Sequence, residues 1–280
     1  MELGVLIFPT DLSIAPDVLA RAAEDRGLAE LWVTEHTHIP TNHSPWPGGP
    51  VLPDEYKRTL DPFVALTAAA AVTTKLRVGT GVCLVAQHDP IALAKRVASL
   101  DHFSNGRFDF GIGVGWNVPE MEHHGVDPKR RYSVARDKIR AMKQLWADDV
   151  ASYDGEYVTF GETWSWPKPV QRPHPPILVG GGSKPVTFRH IVEEYDGWMP
   201  IAGRNDFLAD LPELRRQWAE AGRDPAAMRM LVFGAVGNPA FLENLAAAGV
   251  QQAILGVPPA PADTVLPILD DYAKLVERGF

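Results

Sequence analysis

Residues Lys75 to Asn117 read KLRVGTGVCLVAQHDPIALAKRVASLDHFSNGRFDFGIGVGWN. Leu76 to Val82 is apolar and β-branched, the composition of a strand covered on both faces. Asp89-Pro90 predicts a helix start, because Asp caps free N–H groups and Pro fits the first turn. Leu93, Val97 and Leu100 then form one apolar stripe. Ser104-Asn105-Gly106 closes the helix. Phe108 to Ile112 makes a second strand that runs into Gly111-Ile112-Gly113-Val114-Gly115-Trp116. Strand, crossover helix and strand make a parallel βαβ unit. Both strands end in glycines, where a backbone can approach a ligand closely.

The same rhythm extends in both directions. Strands are predicted at Leu3–Phe8, Leu31–Thr34, Ile177–Val179, Gly197–Pro200, Met230–Phe233 and Ala253–Leu255, each followed by a helical pattern. Asp61-Pro62 and Asn238-Pro239 repeat the helix-start signal of Asp89-Pro90. Alternating βα units over 280 residues predict a (β/α)8 barrel, a single domain spanning 1–280. An open doubly wound sheet would place G-x-G-x-x-G in its first βα turn, but that turn reads Phe8-Pro9-Thr10-Asp11. Two stretches break the rhythm. Residues 39–58 are rich in Pro, Gly and polar groups, a loop long enough to cover a site. Residues 149–175 read as a reduced insertion, with a hairpin turning at Asp154-Gly155.

Composition narrows the function. With 27 Lys and Arg against 35 Asp and Glu the net charge is −8, so a nucleic-acid partner is not expected. The lone Cys83 excludes an intrachain disulfide and reads as a small buried hydrophobe. No stretch approaches a membrane span, and the N-terminus lacks the pattern of a signal peptide, which points to a cytoplasmic protein.

In a barrel, function sits on the loops that follow the strands. Gly180-Gly181-Gly182-Ser183 precedes a helix. It can gather backbone N–H groups around a phosphate, with Lys184 adding charge, or be a plain connection with Ser183 as N-cap. Gly111 to Gly115 with Trp116 suits a flat ligand over the barrel mouth, or tight packing at a barrel corner. His36-Thr37-His38 follows a strand as the first half of a metal site does. The later strand ends, with Pro200, Asn205 and Asn238, bring no further histidine, so no metal is expected. His36 is then a donor or proton carrier facing the pocket, or an inert histidine bonded to a carboxylate. Trp46 and Trp116 are candidate pocket walls. No Ser/His/Asp triad can be assembled.

The ordered set Leu31–His38, Leu76–Val82, Ser104-Asn105-Gly106-Arg107, Gly111–Trp116, Pro176–Gly181 and Asp196-Gly197-Trp198 resembles the bacterial-luciferase-like family of flavin and deazaflavin oxidoreductases. The resemblance covers nearly the whole chain and is greatest to the F420-dependent branch. It implies a barrel that binds F420, or alternatively FMN, at its C-terminal mouth. It also implies a non-proline cis peptide at Gly81–Val82 behind the cofactor ring. His36 would stand at the reactive ring carbon. Gly113, Gly115, Trp116 and the turn Gly181-Gly182-Ser183 would hold the cofactor and its phosphate. Arg130, Arg131, Lys184 and Arg204 could meet the acidic F420 tail. The expected partners are a small-molecule substrate, an F420 or flavin reductase and a second copy of the chain. The activity implied is hydride transfer between F420 and a small organic substrate. The alternative is an FMNH2- and O2-dependent monooxygenase.

Overall fold

A computed structural model describes residues 1–204 and 206–280, so Asn205 lies outside the described residues. Eight parallel strands close a ring: β1 (Glu2–Ile7), β2 (Glu30–Val33), β3 (Arg77–Thr80), β4 (Phe108–Gly113), β5 (Ile177–Gly180), β6 (Gly197–Met199), β7 (Arg229–Ala235) and β8 (Gln252–Gly256). Closure is set by β1 against β8, with Leu3 opposite Ala253, and by β3 against β4, with Val78 opposite Phe108. This is the expected barrel.

The helices that the sequence opens with Asp-Pro or Asn-Pro begin at side-chain caps. The carboxylate of Asp61 accepts from the Val64 N–H at 3.0 Å, at the start of α2 (Pro62–Ala71). Asp89 does the same for Ala92 at 2.8 Å, opening α3 (Pro90–Phe103). Asn238 accepts from Phe241 at 3.2 Å, opening α8 (Pro239–Ala247). Each satisfies a donor that helix geometry leaves free. The remaining helices are α1 (Pro16–Asp25), α4 (Val118–His123), α5 (Arg131–Ala147), α6 (Pro185–Glu194), α7 (Phe207–Glu220) and α9 (Ala262–Glu277). Leu93, Val97 and Leu100 of α3 are fully buried in the layer between helices and sheet.

Three local expectations are corrected. The strand predicted to run unbroken from Leu76 to Val82 stops at Thr80 and resumes as Cys83–Leu84, with Cys83 opposite Ile112 of β4. The interruption is the Gly81–Val82 bond, which is cis. The 149–175 hairpin pairs Ala151–Asp154 with Thr159–Thr163 and closes through Gly155 to Val158 rather than on a two-residue Asp-Gly turn. The Asp137 carboxylate of α5 accepts from the Tyr157 and Val158 N–H groups at 2.7 and 3.0 Å, which draws the wider loop inward. The stretch after Trp116, expected to be a loop, contains the short helix α4.

The barrel interior is filled by Trp32, Leu178, Met199, Leu231 and Ile254, all essentially without solvent exposure. Polar chemistry is therefore pushed to the two ends. At the N-terminal end Glu30, Arg77, Arg229 and Gln252 start their strands, and Asp109 is the second residue of β4. Asp109 accepts from Arg229 at 2.8 Å and from Arg77 Nε at 3.2 Å.

Candidate active site

At the C-terminal end the strands open into a cleft of about 320 Å³. Its back is Gly81, Val82 and Gly113, and the lack of a side chain at the two glycines is a matter of space. A Cβ on Gly81 would stand 2.4 Å from Phe233, and one on Gly113 would stand 2.4 Å from Val82. The result is a flat apolar wall. The opposite side is aromatic. Phe8 and Tyr56 rings lie 4.7 Å apart, Trp46 and Tyr56 5.7 Å, and Tyr56 and Trp116 6.1 Å. Trp46 and Tyr56 come from the 39–58 loop, which folds over the mouth and includes a short 3-10 helix, Asp54–Arg58. Trp46 and Trp116 are thus pocket walls, whereas Trp164 and Trp166 are exposed and Trp32 fills the barrel. Burial raises the Tyr56 hydroxyl above its ordinary value.

His36 follows β2 and lines the cleft. Its Nδ1 lies 2.9 Å from Glu120 Oε2 and 3.0 Å from Oε1, and Glu120 is completely buried. A carboxylate only accepts, so Nδ1 carries the proton and Nε2 is left as the second functional nitrogen. Glu120 belongs to α4, the helix that sequence reading missed. The one signal for it is Val118-Pro119-Glu120 directly after Asn117, a proline in a first helical turn. Asn117 is fully buried as well. Its Oδ1 accepts from the Ser44 N–H and Ser44 Oγ accepts from the Val118 N–H, both at 3.0 Å, so the covering loop is fastened to the start of α4.

Behind the flat wall, Glu35 holds the backbone that follows the cis bond. One oxygen accepts from the Leu84 N–H at 2.5 Å and the other faces His88 Nε2 at 2.8 Å. Burial pushes this carboxyl up, but His88 and the Leu84 N–H outweigh it and leave its pKa below the ordinary value. Cys83 beside it is a buried thiol, pushed well up by burial and by Glu35.

A second cavity of about 210 Å³ adjoins the cleft and shares Gly113, Val114, Tyr132, Gly180 and Gly181 with it. Gly182, Lys184, Thr187 and His190 surround its far side. Ser183 lines neither space, and the N-cap of α6 is Lys184 rather than Ser183. Gly115 and Trp116 line the cleft only. Arg204 reaches the cleft, while Arg130 and Arg131 reach neither space, and Arg131 donates to the Pro128 carbonyl at 2.6 Å.

Residues 18–256 match the family model of luciferase-like monooxygenases. The chain belongs to the luciferase-like monooxygenase family. An uncharacterized protein of Mycobacterium tuberculosis is 42% identical over 282 residues, covering 99% of this chain and 97% of its own. The F420-dependent glucose-6-phosphate dehydrogenase of Kineococcus radiotolerans is 28% identical over 211 residues, 72% of this chain and 57% of its own. The FMNH2-dependent dimethylsulfone monooxygenase of Pseudomonas putida is 35% identical over 160 residues, 55% of this chain and 43% of its own. In fold, the chain is similar to the monooxygenase RslO1 of Streptomyces bottropensis, with a TM-score of 0.83 at 20% identity over 99% of both chains. The family thus holds both F420- and FMN-dependent oxidoreductases, and no helix among the described residues is long and apolar enough to cross a membrane.

Proposed function

We propose that this luciferase-like protein transfers a hydride between coenzyme F420 and a small organic substrate, with His36 handling the proton. The observation that carries the reading is the His36–Glu120 pair, buried at the edge of a flat cleft that continues into a second cavity lined by Lys184, Thr187 and His190. The residues suit such a cofactor. Gly81, Val82 and Gly113 offer an apolar surface that a Cβ added at either glycine would break. Thr34 Oγ1 is buried on the cleft without a hydrogen-bond partner, a ready contact for a polar ring edge. Gly181, Gly182 and Lys184 would hold the phosphate, and Lys184 and Arg204 would meet an acidic tail. When bound, the deazaflavin supplies a two-electron hydride acceptor or donor.

The protein's own part is orientation and proton transfer. Glu120 fixes the His36 tautomer and stabilises the imidazolium, so Nε2 can take the substrate proton in oxidation and return it in reduction. Trp46, Tyr56 and Trp116 exclude water from the open face. On this reading residues 1–280 work as one unit, as a cytoplasmic homodimer served by a separate F420 reductase. The FMN-dependent monooxygenase is the second reading, favoured by the higher identity of the dimethylsulfone enzyme over its matched stretch. Fluorescence titration with F420 and with FMN separates the two. F420 is expected to bind and FMN not; FMN binding without F420 binding would replace the first reading by the second.

A further inference from the structure

We propose that His38 and His123, supported by Thr37 and His124, form a site for a borderline transition-metal dication, zinc, nickel or copper(II), on the rim of the cleft. His38 Nε2 and His123 Nδ1 are 2.9 Å apart, and the two rings are parallel within 8° at 5.2 Å. In neutral imidazoles that contact holds one shared proton. Two nitrogens bound at about 2.0–2.1 Å stand about 2.9 Å apart where they meet the metal at right angles and about 3.3 Å apart around a tetrahedral zinc. The nitrogens face each other head-on across the proton, so a dication takes its place once both rings turn to converge their lone pairs and open the gap by a few tenths of an ångström.

The surroundings suit the exchange. Thr37 Oγ1 lies 3.0 Å from His38 Nδ1 and 2.8 Å from His124 Nε2. A hydroxyl both donates and accepts, so Thr37 can reverse its two bonds. With the proton shared, it donates to His38 Nδ1 and accepts from His124. With a metal on Nε2, His38 keeps its proton on Nδ1 and Thr37 accepts it, which is how a ligand histidine is oriented from behind. His123 is exposed and His38 and His124 are half-buried, so water can reach the site and fill the remaining coordination positions.

The buried group Glu35, Cys83 and His88 also brings three donor atoms together, but its carboxylate is already engaged by Leu84 and His88 and its thiol is pushed well up. The two nitrogens of the His38–His123 pair are engaged only with each other. Its two ligands come from different segments, the loop after β2 and the helix α4, and these same segments carry His36 and Glu120. A metal there would staple together the two halves of the candidate active site. The inference does not depend on which cofactor the cleft takes.

The test uses the full chain without a histidine tag. Calorimetric titration with zinc chloride should show one ion per chain, and zinc should raise the thermal midpoint. His38→Ala and His123→Ala should each weaken binding at least tenfold, whereas His43→Ala, whose Nδ1 faces the Ser44 carbonyl, should not. On the unsubstituted chain, the electron paramagnetic resonance spectrum of one added copper(II) should show two imidazole nitrogens, a readout that needs no variant to fold. Absence of binding, binding unaffected by both substitutions, or a copper spectrum without nitrogen ligands would overturn the site.

Discussion

The two ends of the barrel use charge in opposite ways. At the N-terminal end Asp109 answers Arg77 and Arg229, and the ring of strand starts is closed. At the C-terminal end polar groups are left for a ligand: Thr34 Oγ1 has no partner, and His36, on the cleft, has its Nδ1 engaged by Glu120. One end spends its charges on one another, as stability requires. The other keeps them available, as a site requires. The difference can be broken from either side.

The largest effect on the fold is expected at the closed end. Asp109→Ala removes the carboxylate that both arginines share. Asp109 is fully buried and each arginine side chain is about a quarter exposed (26% and 27%), which puts the loss at the low end of that for a broken buried pair, about 3 kcal/mol. In thermal unfolding this amounts to about 8 °C. The protein that remains folded should bind cofactor as before, because the whole packed interior separates the two ends.

At the open end the effect falls on rate. His36→Ala should lower turnover about 100-fold, measured at saturating cofactor. Its unfolding midpoint should move less than that of Asp109→Ala. Glu120→Gln should lower turnover in the same direction, since the amide no longer stabilises a charged imidazole. Unchanged turnover in both variants would remove the proton role from His36.

What could be read from the sequence follows the same division. The barrel was legible because its strands are covered on both faces and its helices carry Asp-Pro and Asn-Pro starts, signals that act within a few residues. The site was legible where the chain contributes it locally: His36 directly after β2, the glycines of β4, Trp116. Glu120 was not, because its meaning is a contact across 84 residues, and six helical residues leave too short a pattern for periodicity. The histidine pair is half visible. His-Thr-His stands out, but the expectation that no later strand brings a further histidine is wrong: His123 and His124 follow β4, set back from the strand end at the close of the short helix α4. Ser183 does not cap α6 for a local reason: Pro185 occupies the first turn and places the cap at Lys184.

The smallest expected effect concerns a polar pair that the closed end leaves incomplete. Glu30 Oε1 and Gln252 Oε1 are both buried and both unpartnered, while Gln252 Nε2 donates to Glu30 Oε2 at 3.1 Å. Two acceptors cannot satisfy each other unless one carries a proton. Burial first, and then Asp109, push the Glu30 carboxyl well above its ordinary value, with Arg77, Arg229 and Gln252 opposing. A carboxyl with a raised folded-state pKa binds more protons folded than unfolded. Its contribution to stability is therefore complete at low pH and is lost as pH rises from the ordinary value of 4.5 through the folded-state value. Glu30→Gln fixes the protonated shape and supplies an N–H for Gln252 Oε1. Chemical denaturation should find the variant equal to the parent near pH 4 and more stable by about 1 kcal/mol at pH 8. A variant less stable than the parent at pH 8 would mean that Glu30 is ionised and answers Arg77, and the closed end would then rest on two carboxylates rather than on Asp109 alone.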